Sequence, residues 1–106
     1  MAQDEFADFP IEFYNEVNEN KDLYIEAEDR LRKLAKGNTD IVGASITLRK
    51  PDAANDTQVE ATVTAYTRPE YTVASAVARQ PEAALKGALD AVERQVRDKR
   101  ERLRGY

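Results

Sequence analysis

Alternating apolar and polar residues predict four short β-strands in this chain. The predicted strands cover residues 10–14, 42–49, 58–66 and 71–78. One side of strand 2 carries Val42, Ala44, Ile46 and Leu48, and one side of strand 3 carries Val59, Ala61, Val63 and Ala65. Successive side chains of a strand point to opposite faces, so each of these two strands has one apolar and one polar face. Both faces of strand 4 are fairly apolar, and the pattern leaves its inward face open.

Two other segments show the helical period. Leu23, Ala27, Leu31 and Leu34 recur at the spacings that place them on one stripe of helix 1. Asn20 is predicted to cap the start of this helix, and Gly37 to end it by adopting a left-handed conformation. Helix 2 is predicted to begin at Pro81, a residue that suits a first helical turn. Its core arc contains Leu85, Leu89, Val92, Val96 and Leu103, with Ala88 beside them.

The order of these elements is β-α-β-β-β-α, which predicts an α+β fold in one domain. Helix 1 would cross over between parallel strands 1 and 2, and strands 2 to 4 would form an antiparallel meander. Because only one face of strands 2 and 3 is apolar, we expect both helices to cover that face. The other face, with Ser45, Thr47, Thr62, Thr64 and Tyr66, is left to water or a partner. We expect residues 10–106 to form the domain and residues 1–9 to be an acidic, flexible tail.

The composition excludes several classes of site. The 106 residues include no cysteine and no histidine, so thiolate nucleophiles, Cys/His zinc sites and histidine acid–base catalysis are absent. Clustered acids such as Glu26, Glu28 and Asp29 could in principle bind a metal, but such clusters are usually surface charge. We therefore expect no enzyme, no metal site, no cofactor and no small-molecule substrate. The sequence has no secretion signal and no apolar run near the ~20 residues of a membrane span, which favours a cytoplasmic protein without membrane contact.

Charge is distributed unevenly along the chain. The net charge is −4, yet residues 1–30 carry −8 and residues 79–106 carry +3. The end of helix 2 contains Arg94, Arg97, Lys99, Arg100, Arg102 and Arg104. Helix 1 adds Arg30, Arg32, Lys33 and Lys36, which would extend this basic patch if the helices lie side by side. An acidic chain therefore ends in a basic helix.

Two interpretations of the basic cluster are open on these grounds. Guanidinium groups bind phosphates bidentately, and a rigid helix can follow a nucleic-acid backbone, which favours RNA binding. Acids also stand four residues before several of these cations, in the pairs Asp90/Arg94, Glu93/Arg97 and Asp98/Arg102. Such spacing favours a solvated helix surface held by ion pairs. Composition alone favours the ion-paired surface.

Several short motifs in a fixed order favour RNA binding over the ion-paired surface. They are Asp29-Arg30-Leu31-Arg32-Lys33-Leu34 on helix 1, Ala61-Thr62-Val63 on strand 3, Ala74-Ser75-Ala76 on strand 4, and Ala83-Ala84-Leu85 with Glu93-Arg94-Gln95-Val96 on helix 2. With the β-α-β-β-β-α order, the sequence from about Pro10 to Leu103 resembles the ribosome hibernation-promoting factor and ribosome-associated inhibitor family, also called the sigma-54 modulation or S30EA family. The fold this implies is a four-stranded sheet with two helices on one face, similar to the double-stranded-RNA-binding domain.

The resemblance implies a function without chemistry. Members of that family bind the small ribosomal subunit in the channel used by mRNA and tRNA anticodon stems, and they block translation under stress or in stationary phase. Contacts to ribosomal RNA phosphates come chiefly from basic side chains on the two helices. Carried over by position, these are Arg30, Lys33, Arg94, Arg97, Lys99, Arg100 and Arg102. We expect a monomer away from the ribosome.

Three features depart from the family pattern. Helix 2 begins with Gln80-Pro81-Glu82 where the family often has Asp-Met-Tyr, so an aromatic contact is missing. The N-terminal third is acidic, which is unusual for a protein that binds an RNA channel. The sequence ends at Tyr106 and is similar to the short form of the family or to a truncated long form. The alternative is a protein-interaction module on the same fold, which uses the acidic N-terminal region or the open sheet face.

Overall fold

The predicted order of elements is confirmed in a computed structural model of the chain. The structure describes residues 10–17, 21–38, 40–50, 58–67 and 70–104, without the side chains at 21, 100 and 102–104. The elements are β1 (Ile11–Asn15), α1 (Lys21–Gly37), β2 (Ala44–Arg49), β3 (Val59–Ala65), β4 (Thr72–Ala78) and α2 (Pro81–Arg104). The fold class is α+β, as predicted. The predicted tail 1–9, the cap at Asn20 and the core side chain of Leu103 lie outside the described residues.

The sheet has the order β1-β2-β3-β4, with β1 and β4 at its edges. β1 runs parallel to β2, and Ile11 lies beside Ala44. The other two pairings are antiparallel, with Ile46 opposite Val63 and Val63 opposite Ala74. A parallel neighbour requires a crossover connection, which α1 supplies. Both the crossover and the antiparallel meander are therefore confirmed.

One face of the sheet and both helices enclose a single core. Ile46, Leu48 and Val63 of the sheet are fully buried, together with Leu31 of α1 and Val92 of α2. Burying a side chain of this size stabilises the fold by about 1.5–3 kcal/mol. In β2 and β3 the buried positions alternate with polar, partly exposed ones, so the helices can cover only one face. The predicted placement of both helices on the same face is confirmed.

The structure settles the inward face of β4, which the sequence left open. Ala74 and Ala76 point toward the helices, whereas Val73 and Val77 point away and are each 48% exposed. Small inward residues let α2 approach β4 closely. At Gly87 of α2, an added Cβ would lie 3.0 Å from the Cβ of Ala76. The larger valines stay outside because the space on the inner side is taken by the helix backbone.

A β-bulge shortens strand 2 relative to the prediction. The Val42 N–H donates to the Tyr66 carbonyl, and the Tyr66 N–H donates to the Gly43 carbonyl, so two residues of one strand oppose one residue of the next. Because of the extra residue, the side chains before the bulge point to the opposite faces from those that strict alternation predicts. Val42 is consequently 47% exposed, and Ile41 is buried in its place. The prediction that Val42 belongs to the apolar face is therefore wrong.

The end of α1 also differs from the prediction. Gly37 is the last helical residue, and its φ is outside the left-handed region. The helix is closed by Asn38, whose side-chain amide donates to the Leu34 carbonyl at 2.9 Å and whose backbone N–H donates to the Ala35 carbonyl. A side-chain amide can satisfy a terminal helix carbonyl without a left-handed residue. Asn38, rather than Gly37, is the stop signal.

We expect opposite effects from the same substitution at two glycines. Gly37→Ala should raise the free energy of unfolding by about 0.5 kcal/mol, because the added Cβ has no described atom within 4 Å beyond its chain neighbours and its own helix backbone, and alanine favours the helix. Gly43→Ala should lower it by about 1–3 kcal/mol, because its Cβ would lie 3.3 Å from the Pro10 carbonyl oxygen and 3.0 Å from Tyr66 Cδ2. Urea denaturation of both variants measures the difference, and a destabilised Gly37→Ala would contradict the proposed role of Asn38.

Candidate nucleic-acid interface

The two helices lie side by side and run in the same direction. Leu23 near the start of α1 and Leu85 near the start of α2 line one groove of about 310 Å³. Further along both helices, Arg30 of α1 contacts Asp90 of α2. Because the contacts advance toward the C-terminus on both segments, the helices are parallel. Their C-terminal ends therefore lie at the same end of the domain.

Each helix is acidic near its start and basic near its end. Asp22 lies in the first turn of α1 and Glu82 in the first turn of α2, whereas Lys36 lies in the last turn of α1. Anions stabilise a helix N-terminus and cations a C-terminus, because of the helix dipole. Since the helices are parallel, the cations of both collect at one place. We call this place the basic helix end, comprising residues 33–36 of α1 and 94–104 of α2.

Arg30 of α1 uses its donors inside the molecule. Its Nε and Nη2 donate to the two carboxylate oxygens of Glu93 at 3.1 and 2.8 Å, and Nη2 also donates to Asp90 Oδ1 at 2.8 Å. The side chain is only 26% exposed. The hydrogen bond from Arg30 lowers the pKa of Asp90, and the bond to Glu93 raises the pKa of Arg30. Arg30 therefore joins α1 to α2 across the groove.

Lys33 is presented to solvent on the same side of α1. Its ammonium lies 3.0 Å from Asp29, and the lysine side chain is 75% exposed. An exposed i,i+4 pair of this kind contributes little stability and yields readily to a competing anion. Arg32 differs, since its Nη2 contacts Glu28 at 2.7 Å and its side chain is largely covered. Lys33 is thus available to a ligand, whereas Arg32 is held on another flank of the helix.

Lys99 points away from the α1 side of α2. Its Nζ lies 3.3 Å from Thr72 Oγ1 and 3.5 Å from the Glu70 carbonyl, at the start of β4. Two residues along a helix correspond to a rotation of about 200°, so Lys99 and Arg97 lie on nearly opposite flanks. The structure therefore does not bring Lys99 together with Arg97.

Arg94 and Arg97 are open to solvent on the outer surface of α2. Both are exposed, and within the described part of the chain neither makes a hydrogen bond or an ion pair. The acids predicted as their i,i+4 partners, Asp90 and Glu93, hold Arg30 instead. The predicted i,i+4 ion pairs Asp90/Arg94 and Glu93/Arg97 are therefore not formed, although both arginines are exposed on the helix surface as that interpretation required.

The remaining predicted contacts continue the same helix. Residues 100 and 102 lie within α2, but the side chains of Arg100 and Arg102 are outside the described set. Among the described residues, no group of three or more acids is placed to hold a metal ion. None of the helices in that part of the chain is long and apolar enough to cross a membrane.

Sequence reasoning placed Arg30 in the basic patch and missed its partners. The signal was nevertheless present in the helical periods. Glu26, Arg30 and Lys33 share one flank of α1, and Asp90 and Glu93 lie beside the core arc of α2. Once two helices are known to be parallel neighbours, an arginine on one flank and two acids on the facing flank predict an interhelical ion pair.

Comparison with known proteins yields one family and a set of similar folds. The sequence model of the sigma 54 modulation protein / S30EA ribosomal protein family matches residues 15–104. The chain is similar in structure to a ribosomal subunit interface protein from Coxiella burnetii, with a TM-score of 0.74 and 13% identity over 88% of this chain and 99% of that one. It is also similar to the N-terminal domain of Thermus thermophilus Protein Y, with a TM-score of 0.65 and 16% identity over 80% of this chain and 91% of that one. No curated protein matches the sequence significantly.

We expect Arg30→Gln to destabilise the protein in a pH-dependent way. At pH 7 the variant should lose about 1–2 kcal/mol of unfolding free energy, because a bidentate arginine contact and a second carboxylate partner disappear. The pKa of Asp90 is lowered in the folded state, so its contribution is present above the ordinary aspartate pKa and is lost as the pH falls through the folded value. Urea denaturation should show that the difference in unfolding free energy between the variant and the wild type becomes smaller as the pH falls from 7 to 3.

The matched control for this experiment is Lys33→Gln, which removes an exposed i,i+4 pair from the same helix. It should cost no more than about 0.5 kcal/mol at pH 7. An Arg30→Gln deficit that stays constant down to pH 3 would contradict the ion-pair explanation.

Proposed function

Because the chain belongs to the sigma 54 modulation protein / S30EA ribosomal protein family, we propose that it binds the small ribosomal subunit in the mRNA and tRNA channel and blocks translation under stress or in stationary phase. The family and its structural neighbours indicate a ribosome-associated protein. The family match spans both helices and most of the sheet. The basic helix end supports binding to an RNA channel, and the roles in silencing and stress follow from the family resemblance.

The observation that carries this proposal is the state of Arg94 and Arg97. Both guanidinium groups are exposed and make no hydrogen bond or ion pair in the described part of the chain, and the acids four residues before them, Asp90 and Glu93, are held by Arg30. An exposed arginine without a carboxylate partner can give both of its paired donors to a phosphate. The spacing of three residues puts the two arginines on neighbouring positions of the α2 surface.

The contacts are expected to extend over both helices. We propose that Lys33, Arg94, Arg97, Arg100 and Arg102 bind ribosomal RNA phosphates at the basic helix end. Lys99 contributes positive charge from the β4 side of α2, where its ammonium already has partners. Arg30 lies next to these residues but donates to Asp90 and Glu93 within the molecule.

The mechanism is steric occlusion. A folded domain seated in the channel excludes mRNA and tRNA without making or breaking a covalent bond. Phosphate contacts by lysine and arginine release counterions, which makes such binding strong at low salt and weak at high salt. On this proposal the protein acts in the cytoplasm as a monomer away from the ribosome, and it needs no cofactor, membrane or small-molecule substrate.

A second candidate function uses the open face of the sheet to bind a protein. Val73 and Val77 are half-exposed there, and the rings of Tyr66 and Tyr71 stand with centroids 4.8 Å apart. Exposed apolar side chains grouped on one face are a common feature of protein-binding surfaces. Recovery of a protein partner after nuclease treatment, with no ribosomal RNA bound before it, would favour this function over ribosome binding.

We expect charge reversal at the basic helix end to abolish ribosome binding. Arg94→Glu/Arg97→Glu should reduce co-sedimentation with small subunits at low salt by at least about tenfold, because two phosphate contacts are replaced by repulsion. Binding of the wild type should itself fall steeply as salt increases. Thermal unfolding followed by circular dichroism should be nearly unchanged, since both side chains are exposed.

The control has the same change in net charge at the opposite end of the domain. Arg49→Glu/Arg79→Glu reverses two exposed cations near the start of α2, and it should bind small subunits within about threefold of wild type. Equal losses in the two double variants would show that net charge, rather than the basic helix end, governs binding.

A further inference from the structure

We propose that Arg30 is a positioning residue: it holds Asp90 and Glu93 so that Arg94 and Arg97 stay free for RNA phosphates. The inference rests on the proposed function and deepens it. It assigns Arg30 a role through other side chains, in place of the direct phosphate contact expected from its position in the sequence.

The geometry shows what Arg30 does with its donors. The edge formed by Nε and Nη2 is occupied by both oxygens of Glu93, at 3.1 and 2.8 Å. Nη2 also donates to Asp90 at 2.8 Å. A phosphate at this edge would have to displace the two carboxylates that accept from Nε and Nη2. Direct bidentate binding of RNA by Arg30 is therefore disfavoured.

The spacing along α2 shows what the two acids would otherwise do. Asp90 stands four residues before Arg94, and Glu93 stands four residues before Arg97. An acid four residues before an arginine is the favourable order for an ion pair on a helix surface. With Arg30 absent, each acid can turn along its own helix and pair with the arginine one turn further on. Every such pair occupies a group that phosphate needs.

The electrostatics of the cluster agree with this arrangement. The pKa of Asp90 is lowered chiefly by the hydrogen bond from Arg30, with smaller contributions from Lys86 and Arg94. Lys86 lies 3.9 Å from the same carboxylate. Asp90 is thus stabilised as an anion mainly from the α1 side. Arg30 and Lys86 together balance the charge of the two acids, and among the described residues neither acid forms an ion pair with Arg94 or Arg97.

The test compares two variants of the full chain for binding to small ribosomal subunits. Arg30→Gln removes the clamp and leaves Asp90 and Glu93 free to pair with Arg94 and Arg97. The fourfold variant R30Q/K86Q/D90N/E93Q replaces every member of the ion-pair network by an uncharged residue of similar shape. Because it removes two cations and two anions, its net charge equals that of the wild type. Circular dichroism melts establish that both variants are folded at the assay temperature.

We expect Arg30→Gln to bind about tenfold more weakly than wild type, and the fourfold variant to recover to within about threefold. The slope of the logarithm of the binding constant against the logarithm of the salt concentration should be the same for the fourfold variant and the wild type, because no phosphate contact has been removed. This slope distinguishes a positioning role of Arg30 from a direct phosphate contact, because loss of one phosphate contact reduces the magnitude of the slope by about 0.9.

Three results would overturn the inference. A fourfold variant as weak as Arg30→Gln, with a reduced salt slope, would show that Arg30 contacts RNA itself. An Arg30→Gln variant that binds like wild type would show that Asp90 and Glu93 do not compete with phosphate. Absence of binding by the wild-type protein would overturn the proposed function together with the inference, which distinguishes that failure from the first two.

Discussion

The whole arrangement depends on the one-sided burial of the sheet. Only alternate residues of β2 and β3 are apolar, so one face must be covered and the other must remain in water. Both helices are consequently confined to the same side. α1 follows β1 and α2 follows β4, and these two strands point in the same direction. Each helix runs back across the sheet from the end of its strand, so the two helices are parallel. Parallel helices on one face are a result of where the apolar side chains stand in the strands.

The charges of the two helices add only because the helices are parallel. Each helix has acids toward its start and cations toward its end, a distribution that the helix dipole favours in any single helix. In antiparallel helices, such charges would cancel between neighbours. In parallel helices they add, and the domain becomes polar from one end to the other. The Arg30 contact lies where the acidic part of α2 gives way to the basic part, and it separates the two regions.

Much of the fold could be predicted because it depends on local periods. The alternation in β2 and β3 and the stripe Leu23-Ala27-Leu31 were sufficient for the order of elements and the buried face. The failures at Val42 and Gly37 arose where a distant or side-chain hydrogen bond decides the local structure: Tyr66 sets the bulge, and Asn38 closes the helix. The candidate site was predicted as a list of cations. Which of these cations form ion pairs depends on the distances between the two helices, and these distances cannot be read from either helix segment alone.

The side chains that α2 extends over β4 have a consequence for the behaviour of the protein in concentrated solution. β4 is an edge strand of seven residues without charge or proline, the kind of edge to which another chain can add. Gln95 donates to the Val73 carbonyl, and the ammonium of Lys99 stands at the start of the strand. An incoming strand would have to displace both before pairing. A helix that provides the binding surface on one flank therefore also hinders aggregation on the other.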